Sequence, residues 1–256
     1  MFAEIDGNAI HYTSYGEGPP VVFVHGLGGT NHVWHGVMQA MQQHHHVVAL
    51  DLRGHGRSGG KGKFSIEVFA KDVIKLIAHL ELPAVKLVGH SMGSLVVQHI
   101  AQTQPELCDE LILVGGISHF LPPTADRYRD RADLVEKDGL DPIVDEWLAG
   151  AVSPQSHATL SGAVGLLRDM FLRNEPNMYA KSCRALAKAP RIRTDDIGQP
   201  TLIITGAHDR STPLAMAEEL KRSIPVSRVR VLPHVGHWCT VEDPGAVAAT
   251  ILEFLT

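Results

Sequence analysis

Cysteine, aromatic side chains, excess charge and long hydrophobic runs are all scarce in this chain of 256 residues, and each shortage excludes something. Its three cysteines, Cys108, Cys183 and Cys239, are odd in number and widely spaced. They cannot build a disulfide framework, so reduced thiols in a cytoplasmic protein are expected. A net charge of -5 provides no basic surface for nucleic acid or an anionic membrane, and neither partner is expected. No stretch approaches the roughly 18 consecutive apolar residues of a membrane span. The opening Met1-Phe2-Ala3-Glu4-Ile5-Asp6 has neither the basic nor the apolar region of a secretory leader. His44-His45-His46 does not imply a metal, because three adjacent side chains diverge and cannot all face one ion. Internal repeats and low-complexity tracts are absent. No metal and no cofactor is expected.

What the chain does have is apolar residues, at 44%, enough for the core of one domain carrying an insertion. Strand-like and helix-like segments alternate, which argues for an α/β fold with a mostly parallel sheet covered by helices on both faces. The patterns predict strands near 2–5, 9–15, 20–25, 46–51, 84–89, 110–115, 200–205 and 227–232. Helices fit at about 31–42, 65–81, 92–103, 213–223 and 243–255, the last opening on Asp243-Pro244. From Ile117 to Gln199 the alternation stops, and the segment is too long for an ordinary loop. Helical patterns near 126–137, 141–150, 156–172 and 177–188 mark residues 117–199 as a helical cap. Residues 1–116 and 200–256 would form the core.

The chemistry concentrates at strand ends. Gly89-His90-Ser91-Met92-Gly93 follows an apolar strand and opens a helix, the context of a G-x-S-x-G nucleophile elbow. Small residues flank Ser91 because the turn that lifts its hydroxyl off the sheet is tight. Met92 then starts the helix, where its backbone N–H has no intrahelical acceptor. Val21-Val22-Phe23-Val24 runs into His25-Gly26-Leu27-Gly28-Gly29, a loop able to bring the Leu27 N–H close to a ligand. Downstream, one strand ends at Asp209 and another precedes His237. An imidazole titrating near 6.5 can take the serine proton, and a carboxylate behind it fixes its tautomer. His234 is the rival base; Asp195, Asp196, Glu242 and Asp243 are the rival acids. Cys239, although near His237, is off the elbow.

The order Ser91, Asp209, His237, with the elbow and the Asp51-Leu52-Arg53-Gly54-His55-Gly56-Arg57-Ser58 loop, resembles the α/β-hydrolase fold along nearly the whole chain. The resemblance implies an eight-stranded, mostly parallel sheet with a helical cap after strand 6. It also implies Ser91 as nucleophile, His237 as base, Asp209 as its partner, and Leu27 and Met92 N–H groups as an oxyanion hole. His25 and His90 are then buried supports. Within that fold, Met178-Tyr179-Ala180, Cys183 through Ala187, and Asp196-Ile197 make the chain similar to the 3-oxoadipate enol-lactonase group and its esterase relatives. Serine on the elbow, where related dehalogenases carry aspartate, argues against dehalogenation.

The cap is less legible. Trp147, Phe120, Arg127 and Met170 are candidates for contacting substrate, with Leu121, Leu148, Leu167 and Phe171 as further apolar candidates. Arg127, Arg129, Arg131, Arg168, Arg173 and Arg184 are candidate carboxylate binders. The run Arg127–Arg131 alternates with Asp126, Asp130 and Asp133, and so reads as a solvated helix face. The function expected is a serine hydrolase cleaving a small carboxylic ester or lactone through an acyl-enzyme, such as 3-oxoadipate enol-lactone in aromatic catabolism. A carbon–carbon bond hydrolase, a cofactor-free perhydrolase, or a ligand sensor with a slow triad are the alternatives. A monomer or homodimer is expected.

Overall fold

Strand segments of four to eight residues, separated by turns and helices, build one sheet of eight strands among the described residues. They are β1 (Phe2–Ile5), β2 (Asn8–Tyr15), β3 (Pro20–Val24), β4 (His46–Leu50), β5 (Val85–His90), β6 (Cys108–Val114), β7 (Thr201–Gly206) and β8 (Ser227–Leu232). The computed structural model describes residues 1–120 and 122–255. The spatial order is β1-β2-β4-β3-β5-β6-β7-β8. β1 and β2 pair antiparallel, as do β2 and β4; every later pair is parallel. Central strands β3, β5 and β6 are covered on both faces, which is why Val21–Val24, Leu87–Val88 and Leu111–Val114 are buried and apolar at successive positions rather than alternating. Edge strand β8 instead alternates, with Arg228 and Arg230 outward.

Register brings the ends of β3, β5, β6 and β7 level. Val24 pairs with Gly89, His90 with Val114, and Val114 with Ile204. Loops leaving these strands therefore meet above the same edge of the sheet, as ligand loops do in parallel sheets.

The first helix begins later than its sequence pattern predicts. Asn31–Trp34 forms a tight 3-10 turn before α1 (His35–Met41). Tertiary contacts set that turn: the Asn31 N–H donates to Asp51 Oδ1 at 2.7 Å, and Trp34 packs on Phe23. α2 (Ile66–His79) starts at Ser65, whose hydroxyl accepts the Val68 N–H. It buries Ile66, Phe69, Val73, Leu76 and Ile77 along one stripe. α3 (Met92–Thr103) follows the elbow directly.

Among the described residues, five α-helices occupy the insertion between β6 and β7: α4 (Pro122–Asp138), α5 (Asp141–Ala151), α6 (Pro154–Thr159), α7 (Ser161–Leu172) and α8 (Pro176–Ala187). The single helix predicted over 156–172 is two. Ser153 caps α6 early by accepting the Ser156 N–H, with Pro154 in its first turn. Leu160 then leaves helical geometry at φ −116°, ψ 54°. α4 packs along α8, and Arg184 ties them by donating to Asp133 at 2.6 Å and to Glu136. α9 (Leu214–Ser223), α10 (Cys239–Glu242) and α11 (Pro244–Leu255) complete the chain. Asp243 starts α11 by accepting the Ala246 N–H. Among the described residues no helix is long and apolar enough to cross a membrane.

Candidate functional site

Ser91 occupies a backbone conformation that a non-glycine residue rarely adopts, with φ 52° and ψ −118°. Holding it there costs on the order of 1–3 kcal/mol, which the surrounding packing imposes. A Cβ on Gly93 would lie 2.3 Å from the Val24 carbonyl oxygen, and one on Gly89 would lie 2.4 Å from the Gly93 carbonyl oxygen. The flanking glycines thus reflect close backbone approach. The Ser91 N–H donates to the Val114 carbonyl at 3.0 Å, and the Ser94 hydroxyl donates to the Ser91 carbonyl at 2.6 Å. These bonds fix the turn on both sides.

Two backbone N–H groups beside Ser91 are left over. Met92 is the first residue of α3, and Leu27 lies in the loop after β3. Among the described residues neither N–H finds an acceptor within the protein. Both are buried, and Leu27 lines the same cavity as Ser91.

Across the cavity, His237 Nδ1 donates to Asp209 Oδ2 at 2.9 Å, which leaves Nε2 for another partner. Asp209 is fully engaged. Its Oδ1 accepts the Ser211 and Thr212 N–H groups at 2.8 and 2.7 Å, and its Oδ2 accepts the Thr212 hydroxyl at 2.7 Å. Burial by itself would raise the Asp209 carboxyl. The His237 imidazole and the Thr212 donors outweigh it and hold the carboxyl below the ordinary value of 3.8. Asp209 therefore caps its turn and orients the imidazole at once.

The loop carrying His237 has no regular structure of its own, so its neighbours hold it. The His237 N–H donates to the Ala151 carbonyl at 2.8 Å, His90 Nε2 donates to the His237 carbonyl at 2.8 Å, and the His208 N–H donates to the Val235 carbonyl at 3.0 Å. That use of His90 leaves its Nδ1 without a partner. Burial, reinforced by nearby His237, pushes the His90 imidazole down to about 3, so it stays neutral. His25 Nδ1 donates to the Gly26 carbonyl at 2.7 Å while its Nε2 accepts the Leu52 N–H at 2.9 Å. Burial lowers its basicity too. Both histidines are structural supports within hydrogen-bonding reach of the loops.

The rival residues lie elsewhere. His234 is exposed, and Asp195 and Asp196 form a surface turn. Asp243 caps α11, and Glu242 accepts the Ser153 N–H at the α5–α6 junction and the Gly236 N–H. Cys239 is buried, and burial pushes its thiol far up, away from thiolate chemistry.

Ser91, His237 and Leu27 open onto a cavity of about 370 Å³ whose other walls include Trp147, Trp238, Tyr128, Arg127, Arg131 and Arg210. Of the four substrate candidates, the cavity collects Trp147 and Arg127 but neither Phe120 nor Met170. Phe120 faces a separate hollow with Leu95 and Pro190. Met170 is buried on α7 with Leu167 and Phe171, facing the core. Leu148 is buried likewise, and Leu121 lies outside the described residues. Trp147 stacks on Phe171 with ring centroids 4.4 Å apart and leans on Trp238 at 5.6 Å, joining the insertion to the His237 loop.

The arginines also sort differently from their sequence pattern. Arg129, Arg168 and Arg173 pair with Asp126, Asp145 and Asp169, as Arg184 does with α4. Arg127 and Arg131 lie one helical turn apart, so they share a face that Arg129 does not. That face is the cavity wall, not a wholly solvated one. Arg210, Thr124 and Thr212 carry no motif of their own; only adjacency to Asp209 singles out Arg210 and Thr212.

Comparison with known proteins agrees with this fold. A family profile described as the alpha/beta hydrolase fold matches residues 19–136. The chain is 31% identical over 242 residues to 3-oxoadipate enol-lactonase 2 of Acinetobacter baylyi, covering 93% of this chain and 90% of the relative. The crystal structure of the enol-lactonase from Burkholderia xenovorans LB400 superposes with a TM-score of 0.95 at 25% identity, covering 100% of this chain and 99% of that one. A thermophilic esterase from Thermogutta terrifontis superposes at 0.93 with 26% identity, covering 97% and 93%.

Proposed function

Since the chain belongs to the alpha/beta hydrolase fold family, we propose that it is a serine hydrolase cleaving a small carboxylic ester or lactone through an acyl-enzyme. The observation that carries this reading is the buried 2.9 Å bond from His237 to Asp209 on one wall of a cavity that also exposes Ser91. Ser91 Oγ attacks the substrate carbonyl carbon as its proton passes to His237 Nε2. The oxyanion accepts the unpartnered N–H groups of Leu27 and Met92. The imidazolium, stabilised by Asp209, protonates the leaving oxygen as the acyl–oxygen bond breaks; in a lactone that oxygen stays tethered. Water, deprotonated by His237, then attacks the acyl carbon and Ser91 leaves. The inserted helices act as a cap over this chemistry.

Charge in the cavity favours a substrate bearing a carboxylate. Arg127, Arg131 and Arg210 line it without a carboxylate partner among the described residues, against the single acid Glu146. An enol-lactone of a dicarboxylic acid, such as 3-oxoadipate enol-lactone, fits that balance. Initial rates on neutral p-nitrophenyl esters of rising chain length and on a carboxylate-bearing enol-lactone test the proposal. Absence of multiple turnover on every one would remove it. Arg131→Gln should raise KM for the anionic lactone by about 10- to 100-fold, the worth of a charge-assisted hydrogen bond. Rates on neutral esters should stay within about twofold, and equal effects on both substrates would leave Arg131 without a selective role.

Gly115, at the end of β6, gives a further check. Its φ is 52°, and a Cβ there would lie 3.1 Å from the His237 ring. Gly115→Ala should therefore displace the imidazole and lower kcat by about 10- to 100-fold in a folded protein. An unchanged kcat would show that the ring has slack.

A further inference from the structure

Glu242 is a buried acid that the hydrolytic steps do not use. It ends α10, five residues beyond His237, and its carboxyl points back under the His237 loop rather than outward. Both of its oxygens accept the Gly236 N–H at 3.0 Å, and Oε2 also accepts the Ser153 N–H at 2.9 Å. Gly236 is the residue before His237; Ser153 lies between α5 and α6. One side chain thus grips the catalytic loop and the inserted helices together. Adjacent bonds run the same way: the Ser153 hydroxyl donates to the His234 carbonyl at 2.8 Å, and the His237 N–H donates to the Ala151 carbonyl. Contact here is tight, since a Cβ on Gly236 would meet the Ser153 nitrogen at 2.8 Å.

We propose that Glu242 is a positioning residue that clamps the α5–α6 junction to the His237 loop and thereby sets where the imidazole stands over Ser91. The inference rests on the serine-hydrolase reading. The His237 loop has no ladder of its own, so its path depends on these bonds. Losing the acceptor would leave the buried Gly236 and Ser153 N–H groups unpaired, and the loop would shift to satisfy them. A shift of about 1 Å in a proton-transferring group costs on the order of 100-fold in rate.

The test is Glu242→Gln, which keeps the volume but sets an NH2 group against at least one of these N–H donors. Its kcat on a neutral ester should fall about 10- to 100-fold, with KM changed by less than about twofold. Stoichiometric labelling of Ser91 by a p-nitrophenyl phosphonate, followed by p-nitrophenolate release, should slow in parallel. Normal kcat and labelling per folded molecule, with only the melting temperature lowered, would make Glu242 a structural residue and overturn the proposal. Ser153→Ala keeps the N–H to Glu242 but deletes the hydroxyl bond to His234, and should slow both rates about three- to fivefold. Should the Glu242 variant not fold, unchanged rates in Ser153→Ala overturn the proposal instead. Wild-type protein that is never labelled at Ser91 would defeat the hydrolase reading itself, whatever Glu242 does.

Discussion

Ser91→Ala should yield a folded protein whose ester hydrolysis is lower by about three or more orders of magnitude. Alanine retains the Cβ, so the φ of 52° remains imposed by the Gly93 contact and by the bond to Val114. What disappears is only the hydroxyl oxygen that we propose forms the acyl-enzyme. The urea midpoint should therefore move by no more than about 1 kcal/mol equivalent, while p-nitrophenol release falls to the level of the oxyanion site acting on water. Asp209→Asn should also cut kcat severely, because the amide cannot both take the Thr212 donors and hold the same imidazole tautomer. Added to Ser91→Ala it should cost almost nothing more, since groups that act as one unit are not additive. Near-normal hydrolysis by Ser91→Ala would end the assignment of Ser91 as nucleophile.

Acid should unfold this protein steeply, through buried histidines outside the proposed chemistry. Burial, followed by the neighbouring His25, pushes His55 down to about 3; burial and then His237 do the same to His90. Unfolded histidines titrate near 6.5. Between about pH 6.5 and 3 the unfolded chain thus holds two protons that the native state refuses, and stability rises with pH across that window. The penalty is absent above about pH 6.5 and grows as pH falls, by about 3 kcal/mol per pH unit for two protons. His25, whose basicity burial also lowers, adds in the same direction. Asp209 acts lower down: its folded carboxyl lies below 3.8, so its contribution is present above that value and is lost as pH falls through the folded one. Urea midpoints from pH 7.5 to 4.5 measure the slope, and His55→Gln should reduce it by about one proton. A flat profile across that range would contradict neutral burial of these rings.

Much of this was legible from residue order. The strands at 20–24, 46–50 and 108–114 each hold an unbroken apolar stretch, Val21–Val24, Val47–Leu50 and Leu111–Val114, because helices cover both faces, and such stretches announce themselves. Gly89 and Gly93 announce the elbow for an equally local reason, the clash a side chain would make. Local signals failed where a distant contact decides. The split at Leu160 follows the Ser153 cap, and Ser153 is itself held by Glu242 and His234. Phe120 and Met170 carry the same apolar character as Trp147, and no pattern says which way an inserted helix turns.

The sequence by itself determined the α/β architecture, the strand ends and the residues standing at them, since periodicity and steric necessity act over a few residues. Only the tertiary structure decided that Arg127 and Arg131 face the cavity while Arg129 faces Asp126. It also decided that Thr212 braces Asp209, and that Glu242 joins two segments about ninety residues apart in the chain. Those choices depend on how packed elements are oriented, and orientation is set by the summed burial of many side chains rather than by any short stretch of chain.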